Sequence, residues 1–146
     1  MELTLERYKC TKDYTLSRLY NSESKKLFVL DVVEPPLAGL SINGRIKALD
    51  PGRYKMYIKA YNEESAMVPV FQSVAQRERF SFDRLKEATA VDKLDFKSHN
   101  RISTALLHCG KIEGTHLVPN KLNYTKFMFV NIVTKQDKQI IWVNVK

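Results

Sequence analysis

The chain has little of what most recognisable functions require. It holds two cysteines, Cys10 and Cys109, in 146 residues, too few for a disulfide framework. His108, Cys109 and His116 offer at most three neighbouring ligands, and their spacing is not that of a zinc site, so no metal is expected. Five glycines are scattered along the chain, with no phosphate-cradling glycine loop and no Gly-x-Ser-x-Gly elbow; no cofactor is expected either. The longest uncharged run, "SAMVPVFQSVAQ", is well short of the roughly 20 residues needed to span a bilayer and is broken by Pro69. The opening "MELTLERYKC" is charged and alternating rather than a secretory leader, so cytoplasmic synthesis without a signal peptide is expected. No run of five or six Lys or Arg forms a basic arm. No repeat, low-complexity tract or linker divides the chain.

What is present is ordinary globular material. Hydrophobic residues make up 44% and charged residues 27%, enough to build one core in one domain, 1–146. "LTLERYKC" and "YTLSRLY" read as two strands joined at Asp13, the second with Tyr14, Leu16, Arg18 and Tyr20 on one side. "KKLFVLDVV" reads as a third, more buried strand, which completes an antiparallel meander. Glu34–Arg45, with two prolines and two glycines, reads as a surface loop. Asp50-Pro51-Gly52 is a turn in which Pro sets φ and Gly supplies a permissive position. Clean alternation follows it. Arg53, Lys55, Tyr57 and Lys59 share one face, and Tyr54, Met56, Ile58 and Ala60 share the other.

Residues 61–100 form an irregular excursion in which helix and strand signals mix; "FDRLKEATAVDKLDF" carries charge at helical spacing and reads as a short helix. "RISTALLHCG" is a buried strand that stops at Gly110, and "THLVP" is a short extended segment. Asn120 is placed to cap a C-terminal helix. In that helix Leu122, Thr125, Phe129, Ile132 and Val133 form one stripe, with a strand over "KFMFVNIV" as the rival reading. "QIIWVNVK" is a last strand with Trp142 in the core. The fold class expected is α+β, mainly β: one domain of antiparallel or mixed strands, with one C-terminal helix followed by a last strand.

Twenty-four basic residues against sixteen acidic ones give a net charge of +8, which favours acidic partners. Eleven of the basic residues fall in 1–60 and thirteen after it, so the charge does not cluster. The face bearing Arg53, Lys55, Tyr57 and Lys59 is a candidate anionic-partner surface, against the plainer reading of a wet strand face. Nucleic acid is a less favoured partner than protein or cell-wall material, and self-association is left open. Glu63-Glu64 and the pair Asp92 and Asp95 read as solvated charge.

The stretch with chemical content is "TALLHCGKIEGTHLVPN". A cysteine nucleophile needs a base to make the thiolate and donors for the developing oxyanion, and glycines let backbone N–H groups approach a reacting carbonyl. His108, Cys109 and Gly110 supply a strand-end His-x-Gly; Gly114 follows after a turn, then Thr115 and His116. On an extended strand His108 and Cys109 point to opposite faces, which separates base from thiol. The plain reading of Cys109 is a small buried residue, and that of His116 is a structural strand-end histidine.

The N-terminal pattern "LTLERYKCTKDYTLSRLY" leading to "LFVLDVVEPP", the Pro-x-Gly-x-Tyr element at Pro51, Gly52 and Tyr54, the His-x-Gly at His108 and Gly110, and the ending "NKLNYTKFMFVNIVTKQDKQIIWVNVK" resemble a small family of uncharacterised phage and bacterial domains. The His-x-Gly followed by Gly-Cys in that family is similar to the catalytic corner of L,D-transpeptidases, which remodel peptidoglycan crosslinks through a cysteine acyl-enzyme. Carried over, the resemblance implies that His108 and Gly110 match the base strand, that Gly114 matches the Gly before the nucleophile, and that Thr115 stands where the cysteine belongs. Lys111 replaces the Asn that follows the family's glycine. The expectation is a non-catalytic binding or structural module, phage-associated, with a remnant site at His108, Gly110, Gly114, Thr115 and His116. Its partners would be another phage or bacterial protein or cell-wall material. The alternative is a peptidoglycan-peptide enzyme using His108 with Cys109 or Thr115.

Overall fold

A computed structural model of the chain describes residues 2–23, 29–37, 47–60, 67–73, 79–97, 105–128 and 140–146, with backbone alone at 58–60, 67–69 and 79. The strands are β1 (Glu2–Cys10), β2 (Thr15–Asn21), β3 (Val29–Glu34), β4 (Gly52–Ala60), β5 (Met67–Ser73), β6 (Arg79–Arg84), β7 (Thr89–Ala90), β8 (Ala105–Glu113), β9 (His116–Val118) and β10 (Ile141–Val145). A 3-10 turn covers Val91–Lys93, and one helix, α1, covers Lys121–Lys126. The mainly β fold with a helix and a closing strand is the architecture the alternation pattern predicts.

Eight strands close into a barrel in the order β3-β2-β1-β10-β4-β5-β6-β8, with β3 pairing back onto β8. Closure removes the open edges that a sheet of this width would otherwise present. Two pairings are parallel, β1 with β10 and β6 with β8; the other barrel pairs are antiparallel. Strand β8 is long enough to leave the barrel. Its second half pairs with β9, and β9 pairs with β7, which makes a small satellite sheet.

Period-2 alternation sorts the side chains to two sides of the barrel wall. Leu3 and Leu5, Leu19, Leu30 and Val32, Tyr54 and Met56, Phe71, Phe80 and Phe82, Leu107 and Cys109, and Ile141 and Val143 form the interior cluster. Phe71 and Phe82 stack at 5.7 Å between centroids, and Phe127 meets Phe82 edge-on at 5.3 Å. A second cluster lies outside the wall, where Leu16 of β2 and Val33 of β3 are covered by Leu85, Val91 and Leu117. The side of β2 that carries Leu16 and Arg18 is therefore the outer one, and Ser17 and Leu19 face in.

The two barrel ends are closed differently. At the end where β3 finishes, Arg7 donates from Nε and Nη2 to Glu34 (3.2 and 3.0 Å) and from Nη2 to the Leu49 carbonyl. Glu34 is fully buried and Arg7 nearly so; Glu34 thus closes β3 rather than opening the loop. Residues 38–46 of that loop lie outside the described residues. At the other end α1 forms a plug. Asn120 accepts from the Asn123 N–H as an N-cap, as predicted, and Asn123 donates to the Val29 carbonyl (2.7 Å).

Several expectations are corrected. The stretch 61–100 holds two full barrel strands, β5 and β6, rather than an irregular excursion: pairing to β4 and β8 captures it. "FDRLKEATAVDKLDF" is not a helix beyond the 3-10 turn, because β6 runs on to Arg84 and β9 holds Thr89 and Ala90 extended. The helix stripe is displaced. Leu122 is 67% exposed while Phe127 is fully buried, and Phe127 and Met128 continue α1 as a wider π turn. Phe129, Ile132 and Val133 lie outside the described residues. Trp142 is half-buried on the outer face, not in the core.

Candidate functional site

The residues singled out by the His-x-Gly motif sit on β8, and the strand disperses them. Cys109 points into the barrel, where it is 1% exposed and donates from Sγ to the Asp83 carbonyl at 3.1 Å. Burial, with the Asp83 charge adding to it, pushes its thiol well above the ordinary range. Burial of this kind disfavours the thiolate, the form in which a cysteine attacks.

His108 points the other way, out of the barrel and beneath the segment that follows the 3-10 turn. The Phe96 ring tilts against it at 5.7 Å between centroids, and Nε2 donates to the Asp95 carbonyl at 2.6 Å. Leu106 N–H also bonds to the Phe96 carbonyl (2.9 Å), which pins that segment along β8. Nδ1 of His108 is buried and has no hydrogen-bond partner among the described residues. Neither the thiol of Cys109 nor the hydroxyl of Thr115 is among the partners of the imidazole.

The two glycines have backbone explanations. A Cβ at Gly110 would run into the Val118 carbonyl of β9, so glycine here lets the satellite sheet approach β8. Gly114 has φ +60° and takes the first central position of a two-residue hairpin loop, Gly114-Thr115, between Glu113 and His116; such primed turns demand positive φ there.

Thr115 is exposed on this loop, five positions along β8 and one turn away from His108, a strand distance of about 16 Å or more. Its Oγ1 lies 3.1 Å from Nδ1 of its neighbour His116. Its carbonyl accepts from Val91 N–H at 3.0 Å, which brings the loop beside the 3-10 turn. Thr115 thereby lines an open depression of about 560 Å³ whose walls are the β1–β2 turn, with Thr11, Lys12 and Tyr14, and the segment Ala90–Asp92. The partner of Thr115 is therefore His116, not the histidine the motif suggests; only their adjacency in sequence could have signalled it.

The residues of the candidate anionic-partner surface fall on β4. Arg53 and Lys55 are exposed and Tyr57 half-buried on the outer face of β4; the Lys59 side chain lies outside the described residues. The Arg53 guanidinium lies over the Trp142 ring, 4.1 Å from its centroid, and pairs with Glu2. Asn144 donates to the same carboxylate at 2.7 Å. Partial burial alone would raise the Glu2 carboxyl, but hydrogen bonds from Asn144 and Arg53, with the Arg53 charge, hold it below its ordinary value.

A similar group stands two strands away. Arg18 lies 4.6 Å from the Tyr8 centroid and 3.5 Å from Asp31. Burial and the Asp31 charge push the Tyr8 phenol up to about 12. Sequence reasoning missed both groups, because each joins residues that only the strand register brings side by side.

Among the described residues no group of three or more His, Cys, Asp or Glu is placed to hold a metal, and no described helix is long and apolar enough to cross a membrane. Comparison with protein-family models, with curated proteins and with solved structures finds no match to this chain. The molecule is a mainly β, single-domain protein built on a closed eight-stranded barrel with a helical plug and a satellite sheet.

Proposed function

We propose that this chain is a non-catalytic binding or structural module. The observation that carries the reading is the dispersal of the would-be catalytic set. The thiol of Cys109 is sealed in the barrel, the His108 imidazole is tied to a backbone carbonyl on the opposite face, and Thr115 stands on a remote hairpin. Catalysis by acyl transfer needs base and nucleophile within hydrogen-bond reach. The resemblance to phage and bacterial domains sets the proposed context: a virion component, or an accessory piece in contact with cell-wall material or another phage protein.

The test is intact-mass spectrometry of the protein after incubation with a β-lactam and with a peptidoglycan stem peptide. Unmodified mass is expected in both cases. An adduct that disappears in Cys109→Ala or Thr115→Ala protein would overturn the proposal.

One observation favours the enzymatic alternative in a specific form. Thr115 is the nucleophile position of the resemblance, its hydroxyl has an imidazole at 3.1 Å, and it borders the depression. That form of the idea predicts an adduct on Thr115 that is lost in His116→Ala and kept in His108→Ala.

A further inference from the structure

The outer face of β3-β2-β1-β10-β4 carries cations and rings that neither the core nor the site above uses. Along the chain these cations are dispersed, and strand register brings them to one side. Lys55 of β4 stands across from Trp142 of β10, and Arg53 across from Asn144. Lys146 continues β10. Its N–H donates to the Leu5 carbonyl and its carbonyl accepts from the Arg7 N–H, which sets it beside Glu6. Glu6 faces Arg18 on β2, and Lys9 faces the outward Leu16. Between Arg7 and Lys9 the register shifts by a bulge, a device that re-aims side chains, and Tyr8 at that point is exposed.

Two features set this face apart. The first is charge. Five cations (Lys9, Arg18, Arg53, Lys55 and Lys146) stand against three carboxylates (Glu2, Glu6 and Asp31), whereas the other described side chains nearly balance, ten cations to nine carboxylates. The three carboxylates are already engaged. Glu2 pairs with Arg53, Asp31 with Arg18, and Glu6 accepts from the Tyr20 hydroxyl at 3.2 Å. Lys9, Lys55 and Lys146 are exposed and form no ion pair among the described residues. The second feature is the pairing of arginines with rings. Arg53 lies 4.1 Å from the Trp142 centroid and Arg18 4.6 Å from that of Tyr8, and both arginine side chains remain about half exposed. A guanidinium held over a ring leaves its other side for a second flat group.

We infer that this face binds single-stranded nucleic acid. Lys55, Lys146 and Lys9 receive backbone phosphates, and bases stack on the Arg53–Trp142 and Arg18–Tyr8 pairs. Charge complementarity selects a polyanion. The two arginine–ring pairs select one that carries planar groups, over a wall polymer that lacks them. No described element projects from this wall to enter the groove of a duplex, which leaves a single strand laid along it. From Lys55 to Lys9 the path runs diagonally from β4 across β10 to the far end of β1. It covers on the order of 20 Å, room for about four nucleotides. The inference goes beyond the proposed function and does not depend on it.

The experiment titrates a fluorescein-labelled oligothymidylate of about twelve nucleotides with the whole protein and reads anisotropy. Trp142 emission is read in a parallel titration with unlabelled oligonucleotide. Trp142 is the only tryptophan in the chain and lies on the face, so quenching of its emission locates the contact. A dissociation constant of about 1–10 µM is expected at about 0.05 M salt, with affinity falling as roughly the second power of salt concentration for three phosphate contacts. Lys55→Gln together with Lys146→Gln should weaken binding about tenfold or more and flatten the salt dependence by more than one power. Lys86→Gln together with Lys97→Gln removes the same charge from exposed positions off the face and should change neither. No binding up to about 100 µM protein at about 0.05 M salt would overturn the inference, as would equal losses in the two double variants. Binding that leaves Trp142 emission unchanged would place the contact elsewhere and refute this face. Inorganic polyphosphate that competes as well as the oligonucleotide, charge for charge, would show that the rings select nothing, and the assignment to nucleic acid would fall.

Discussion

Thr15 and Cys109 are both fully enclosed small residues, yet the barrel treats them differently. Cys109 finds a carbonyl to donate to. The Thr15 hydroxyl is buried with no partner among the described residues, although Thr15 itself is 0% exposed. An unsatisfied buried hydroxyl costs folding free energy that an apolar isostere does not. Thr15→Val should therefore stabilise the protein by about 1 kcal/mol, read as a higher midpoint in urea with an unchanged slope; a loss of stability would show that the hydroxyl is satisfied after all. Legibility at this scale is uneven. That His108 and Cys109 diverge follows from strand alternation alone, and so was visible in the sequence. That Arg7 reaches Glu34, or that Arg53 lies on Trp142, depends on which strands lie side by side, and local pattern carries no such information.

At the scale of elements, β1, β2 and β4 were legible from alternation, loose in β1 and clean in β4, where one face is core and the other meets water. The turn at Pro51-Gly52 was legible for its own reason: Gly52 takes φ +150°, which few other residues adopt. β5 and β6 were not. "MVPVFQS" carries a proline in a barrel strand, and it is tertiary pairing rather than propensity that holds it extended. The helix was found with its cap but with the wrong buried stripe, because its inward side is set by the π turn that swings Phe127 into the barrel mouth. The plug hangs on that ring. Phe127→Ala should cost about 3–5 kcal/mol in chemical denaturation, whereas Leu122→Ser, on the exposed side of the same helix, should stay within about 0.5 kcal/mol. Equal effects of the two would mean that the plug is seated otherwise.

For the molecule as a whole, composition indicated a single domain and alternation a β-rich one, but neither indicated the closure of its sheet. Closure rests on two contacts between distant parts of the chain, Asp31 with Gly110 in β3–β8 and Glu2 with Trp142 in β1–β10. Neither leaves a local trace. The candidate site fares similarly. The motif identified a region of interest, but the fold assigns its glycines to backbone geometry, its cysteine to the core and its threonine to a separate hairpin. Deleting 141–146 should leave β1 and β4 without their shared neighbour and yield aggregated rather than folded protein, measured as the soluble fraction after expression. A soluble, cooperatively unfolding product would show that the remaining seven strands can close without it.

The seating of β10 between β1 and β4 also bears on how the protein is made. β10 follows every other strand of the wall in the chain, so one side of β1 must wait unpaired until all of them have been made. Long-range pairing of this kind is slow and leaves sticky edges exposed in the meantime. The folding chain is thus most vulnerable before β10 has docked, and a chaperone that shields the free side of β1 during that interval would raise the yield of native protein.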